Sequence, residues 1–261
     1  MKIRCTFFAL FLALMVNANS FSKQPPPPDA VPPMPPVIKF YNSGALNTNP
    51  AETITSVSVT EVATVYDENV RRYLDQATLA DKATIPGVGD LKDIITIIDD
   101  LIAIGKKIWP IIEKNRPVIT TDLKYMVSVL PRLEGNRIEM DNMENWSAPV
   151  AKSYRLSMKN GFNSEVIGFT YTVIFQHSGT YEGVGKYITS GKIIANEIYA
   201  SWGFDFDAKS ELVNIANVGS KKEPVASAIF SVSYKGKGLF NEIQGTQTFY
   251  VDGRGAFQVL K

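Results

Sequence analysis

Asp205 and Asp207 stand two residues apart in the run Phe204-Asp205-Phe206-Asp207. On an extended strand that spacing turns both carboxylates to one face, with their Cβ atoms roughly 7 Å apart. Two carboxylates so placed could share acid and base work on a glycosidic bond, or hold calcium, a hard cation that prefers carboxylate oxygen. Calcium loops show a denser run of acids and hydrolase carboxylates normally come from different strands, so a solvated strand face is the expected role. His177 is the sole histidine and Cys5 the sole cysteine. One imidazole falls short of the several nitrogen and sulfur ligands of a zinc site. As a general base it would need a nucleophile and an orienting acid, and no nucleophile-elbow pattern accompanies the serines. His177 ends the strand-like run Phe175-Gln176-His177 in register with its apolar residues, and is expected to be structural. The inventory therefore predicts no catalytic residue, no metal site and no cofactor.

What remains is recognition by aromatic side chains. Tyr181, Tyr187, Tyr199, Trp202 and Tyr250, with Trp146, could line a platform for a sugar or a lipid headgroup. Trp202 falls on the apolar side of its run and is predicted to pack between sheets. Trp146 and Tyr199 are the expected exposed members, and with Asp205 and Asp207 they form the predicted ligand-binding set. Asn145-Trp146-Ser147 also matches an N-glycosylation acceptor.

These residues need strands to carry them, and from Val118 onward the hydrophobic period is 2. Val150, Lys152, Tyr154, Leu156 and Met158 alternate with a second set, as do Ile167 to Gln176, Ile198 to Asp207 and Ala226 to Tyr234. Thr246 to Val251 adds another strand before the turn signal Asp252-Gly253. Half-buried strands separated by Gly, Asn and Ser turns describe an antiparallel sandwich or barrel.

Upstream the pattern differs. Asp67 to Ala80 is rich in helix formers, and a second helix is predicted from Asp90 to Lys114, with acids early, lysines late and a broad isoleucine face. Pro110 should kink it. Such a helix could cover a sheet, or lie in a bilayer interface with Ile98, Ile102, Lys106, Lys107 and Trp109 as its membrane contacts. The fold class expected is mainly β with an α-helical N-terminal segment (α+β), an antiparallel sandwich preceded by an amphipathic helix. That order of elements, from Ile85 to Lys261, resembles the organisation of actinoporin-like pore formers, and the resemblance implies a membrane-active cytolysin. It rests on architecture alone, without that family's dense Tyr/Trp cluster.

The N-terminus carries Lys2 and Arg4, an apolar stretch from Thr6 to Val16, and small residues at Ala18 and Ser20. This is the pattern of a secretory signal peptide cleaved after Ala18 or Ser20, and it implies a secreted or periplasmic protein. Eight of the twelve residues from Pro25 to Pro36 are proline, which predicts an extended polyproline stalk. The expected organisation is a leader over 1–20, a stalk and polar segment over 21–65, a helical segment over 66–116 and a sandwich over 117–261. With 27 basic against 26 acidic side chains, the chain lacks the basic footprint of a nucleic-acid binder. The predicted partners are a cell surface, a glycan or a protein, with a lipid membrane as the second reading.

Overall fold

The computed structural model describes residues 37–42, 49–68, 70–74, 94–118, 125–134 and 142–260. The expected leader, the proline run and the first residues of the predicted helix from Asp90 lie outside them.

Two antiparallel sheets face each other, as the alternating strands require. The first has the order β1 (Val37–Asn42), β14 (Asn241–Asp252), β13 (Ala226–Lys237), β12 (Asp205–Asn217), β5 (Ile108–Glu113) and β6 (Arg116–Pro117), with β15 (Phe257–Leu260) also paired to β14. The second runs β2 (Ile54–Val62), β9 (Val150–Asn160), β10 (Glu165–Tyr181), β11 (Val184–Ala200), β7 (Val127–Pro131), β4 (Leu101–Ile104) and β3 (Ile94–Ile98), with β8 (Met143–Glu144) on β10. Segments from upstream of 117 thus belong to both sheets: β1 pairs with β14, β2 with β9, and β5 with β12.

Over its described residues, from Ile94 onward, the predicted helix from Asp90 to Lys114 is replaced by three strands. Ile94–Ile98 and Leu101–Ile104 form a hairpin turning on Asp99 and Asp100, with Ile98 opposite Leu101. Asp99 takes the left-handed conformation (φ 51°) that tight hairpin turns demand. Gly105 (φ 122°) then redirects the chain into β5. The physical reason is composition. Isoleucine is β-branched and suits a pleated surface, and closely spaced isoleucines such as those of Ile94–Ile98 satisfy a 3.6-residue period without requiring one. Pro110, read as a helix kink, lies in β5 beside a register shift opposite Ala208 and Lys209, where a missing N–H is tolerated. The helix is the element on which the resemblance to actinoporin-like pore formers turned, and that resemblance lapses with it.

Helical residues 68 and 70–74 begin where the sequence placed the shorter helix. Asp67 Oδ1 accepts the N–H of Val70 at 2.9 Å, an N-cap. Val70 and Tyr73 pack with Met126 and Ile174 in a small cluster apart from the main core, and the Tyr73 hydroxyl donates to the Ser190 carbonyl at 2.6 Å. The main core lies between the sheets. Rings meet across it, Tyr154 and Phe249 at 5.0 Å and Phe169 and Phe206 at 5.3 Å, and within the first sheet Trp109 stands edge-on to Phe230 at 6.4 Å.

Candidate functional site: three turns at one end

Antiparallel connection places three turns at the same end of the sandwich: β9–β10 (Gly161 to Ser164), β11–β12 (Ser201 to Phe204) and β13–β14 (Gly238 to Phe240). Each presents one large apolar side chain to solvent. Trp202 is 96% exposed, Phe162 67% and Leu239 65%, and every other exposed large hydrophobic among the described residues is at 50% or below. Single exposed apolar residues need no explanation, but the three most exposed gathered at one end do.

The turns are stitched together through the 3₁₀ turn Pro50–Glu52. The Gly161 N–H donates to the Pro50 carbonyl at 2.8 Å. On the other side a side chain at Gly238 would collide with the Glu52 carbonyl, and would lie 3.1 Å from the Phe204 ring. The Ser201 N–H reaches the Val166 carbonyl on β10 at 2.8 Å. Phe162, Leu239 and Trp202 therefore belong to one connected rim.

The β9–β10 turn satisfies all four of its backbone donors, three through Asn160 and one through Pro50. Asn160 Oδ1 accepts from the N–H groups of Phe162 and Ser164, both at 3.0 Å. The Asn163 N–H reaches the Asn160 carbonyl at 2.9 Å, and Gly161 has its bond to Pro50. At the β11–β12 turn the Phe204 N–H closes on the Ser201 carbonyl at 3.0 Å, with Gly203 at φ 85°. Tyr199 (50% exposed) completes this side, its hydroxyl 2.8 Å from Ser201 Oγ.

Sequence reasoning placed Trp202 in the core, and it is the most exposed of the exposed large hydrophobics. The alternation Ile198, Ala200, Trp202, Phe204, Phe206 continues by coincidence through a turn, and Gly203 was the signal that a turn was present. Phe162 and Leu239 were overlooked, although each sits between turn formers in Asn160-Gly161-Phe162-Asn163 and Gly238-Leu239-Phe240-Asn241.

The residues predicted as a ligand-binding set do not converge. Tyr199 is exposed at the tip end. Trp146 is half-buried at the opposite end, its ring so close over Gly179 that any side chain there would collide with it. Asp205 and Asp207 are exposed on one face of β12, as their spacing implies. Asp207 Oδ1 accepts the Lys114 N–H at 2.8 Å, so this carboxylate caps the β5–β6 turn. Among the described residues no group of three or more His, Cys, Asp or Glu side chains could hold a metal ion.

The predicted membrane face is likewise dispersed. Ile102 is fully buried, Ile98 is half-buried against the core, and Trp109 is buried with its indole N–H 3.5 Å from the Ile193 carbonyl. Lys106 and Lys107 are exposed, Lys106 over the Tyr125 ring and Lys107 3.9 Å from Glu211. Among the described residues, 94–112 form strands and present no continuous apolar helix face that could lie on a bilayer.

His177 lies in β10, partly buried, with Nδ1 2.9 Å from Ser178 Oγ and its ring against Gly255. Burial holds its pKa below the ordinary imidazole value, against a smaller upward pull from Asp252. Among the described residues no acid hydrogen-bonds to its ring. The outer face of the first sheet carries a shallow groove of about 910 Å³ bordered by Lys39, Pro110, Lys209, Ser233 and Gln244. Its charged side chains are partly matched, as in the Lys235–Glu242 pair at 2.7 Å. Comparison of the chain with protein-family models, with curated proteins and with solved structures gave no match.

Proposed function

We infer that this is an exported, non-enzymatic binding protein whose recognition surface is the end of the sandwich carrying Phe162, Trp202 and Leu239. The observation that carries the reading is the coincidence of the three most exposed large hydrophobics on three turns at one end, two of them hairpins and one the β11–β12 crossing between the sheets, held as one rim by Pro50–Glu52. Apolar side chains held in water at a rigid edge lose little conformational entropy when a partner covers them, which favours binding. Export is supported by the leader-like residues Lys2, Arg4 and Thr6 to Val16, and places the partner outside the cytoplasm.

The test compares the chain with its F162S/W202S/L239S variant for retention on washed envelopes of the source cells. The reading expects the parent to be retained and the variant to wash away, with unchanged far-UV circular dichroism. Equal retention of both would remove the tip end as the recognition surface.

A further inference from the structure

Resting on that reading, we propose that the partner of the tip end is the interfacial layer of a lipid bilayer, into which Phe162, Trp202 and Leu239 dip as three separate anchors. Three features of the rim favour lipid over a glycan or a folded protein.

The first is shape. The side chains project from tight turns, and Gly203 beside Trp202 has open space where a side chain would stand. A glycan site needs an aromatic plane supported from behind and flanked by polar groups. An indole 96% exposed at a turn offers no supported plane. A protein partner would have to supply three sockets, whereas a bilayer accepts separate protrusions.

The second is chemistry. Tryptophan and tyrosine concentrate at membrane–water interfaces, where an apolar ring and a polar handle are both satisfied. Trp202 and Tyr199 sit at this level of the rim, while phenylalanine and leucine, without polar groups, form the other two tips. The third is the backbone. A turn entering an apolar medium must have its N–H groups satisfied beforehand, and the Phe162 turn satisfies all four through Asn160 and Pro50.

Charge around the rim is mixed. Lys237, Lys114 and Arg116 are exposed at this end, and so are Asp205 and Glu113. Docking should therefore be driven by apolar contact and depend weakly on anionic lipid and on salt.

The experiment is sedimentation of the full chain with phosphatidylcholine vesicles, alone and with added phosphatidylserine. Parent and variants share the same apolar N-terminal stretch, so the difference between them reports the tips. Each of F162S, W202S and L239S should weaken partitioning roughly tenfold, and the triple variant by more than about a hundredfold. Vesicles with brominated acyl chains should quench parent fluorescence, and this quenching should largely vanish in W202F, which keeps most of the binding. Equal partitioning of parent and triple variant would overturn the proposal, as would undiminished quenching in W202F. Failure to bind vesicles together with tip-dependent envelope retention would overturn the lipid identity and leave the recognition end standing. Tip-independent retention would overturn both.

Discussion

Asn241 opens β14 and holds the tip end to the second sheet. It is buried, its Oδ1 accepts the N–H of Ile54 at 2.9 Å, and its Nδ2 donates to the carbonyl of Ile54 at 2.6 Å. Ile54 is itself buried and starts β2, two residues after the Pro50–Glu52 turn that joins the tips. Replacing Asn241 by alanine removes both bonds and leaves the N–H and carbonyl of Ile54 without this partner. A net hydrogen bond contributes about 1 kcal/mol, and a buried group left unpaired costs ~1–3 kcal/mol. Partial relaxation of the start of β2 will recover some of this, so the expected loss is about 3 kcal/mol. For a sandwich of this size that corresponds to a fall in Tm of roughly 6–12 °C. The assay is urea unfolding followed by far-UV circular dichroism, where the midpoint should fall with the slope unchanged. A loss below about 0.5 kcal/mol, the range of ordinary surface substitutions, would refute the view that Asn241 fastens the sheets at this end.

Two titrations should follow from buried groups. Burial raises the pKa of Tyr73, Tyr154, Tyr171, Tyr187 and Tyr234, with Tyr187 and Tyr234 at about 12. An unfolded tyrosine ionises near 10. The unfolded chain therefore releases protons first as pH rises, and stability present below pH 10 should be lost between about 10 and 12; absorbance at 295 nm rising before ellipticity falls would contradict this. His177 behaves in the opposite sense. Its folded pKa lies below the ordinary value because of burial, so the unfolded chain binds a proton first as pH falls below about 6.5. H177N should therefore lose less stability than the parent between pH 7 and pH 5 in parallel urea titrations, and equal losses would count against the buried, neutral imidazole.

Legibility followed the strength of the local pattern. The period-2 runs of β9, β10, β13 and β14 could be read from their alternating residue types; burial follows that alternation in Asn241–Asp252, whereas the centre of β10 is buried on both faces. The Asp90–Lys114 region misled because its closely spaced isoleucines fit a 3.6-residue and a 2-residue period alike, leaving period uninformative. There the decisive signals were local: Asp99-Asp100 at a hairpin and Gly105 at a bend. Trp202 misled for the opposite reason, a perfect alternation that carried across a turn. No sequence pattern revealed the tip end, because its unity comes from tertiary order. Phe162, Trp202 and Leu239 are separated by about forty residues in each step, and only the antiparallel path of β9 through β14 brings their turns to one edge.

The residues that hold this edge share a chemistry with a consequence for what the edge can meet. Asn160 accepts from Phe162 and Ser164 through Oδ1 and donates to the Ala51 carbonyl through Nδ2 at 3.1 Å. Asn241 uses both ends of its amide on Ile54. Asn115, in the β5–β6 turn, accepts from the Phe206 N–H at 2.6 Å and donates to the Phe204 carbonyl at 3.1 Å. Each of three asparagines thus spends both its acceptor and its donor on main chain near the tips. Aspartate could supply the acceptor but would leave the carbonyl without a donor and add a charge, and a hydroxyl is too short to span both. An amide is the short, uncharged side chain that completes both halves of the bond. Fastening with neutral groups keeps fixed charge out of the turns that carry Phe162, Trp202 and Leu239. An edge destined only for water would gain nothing from that neutrality. An edge that leaves water when it works avoids the cost of desolvating three charges.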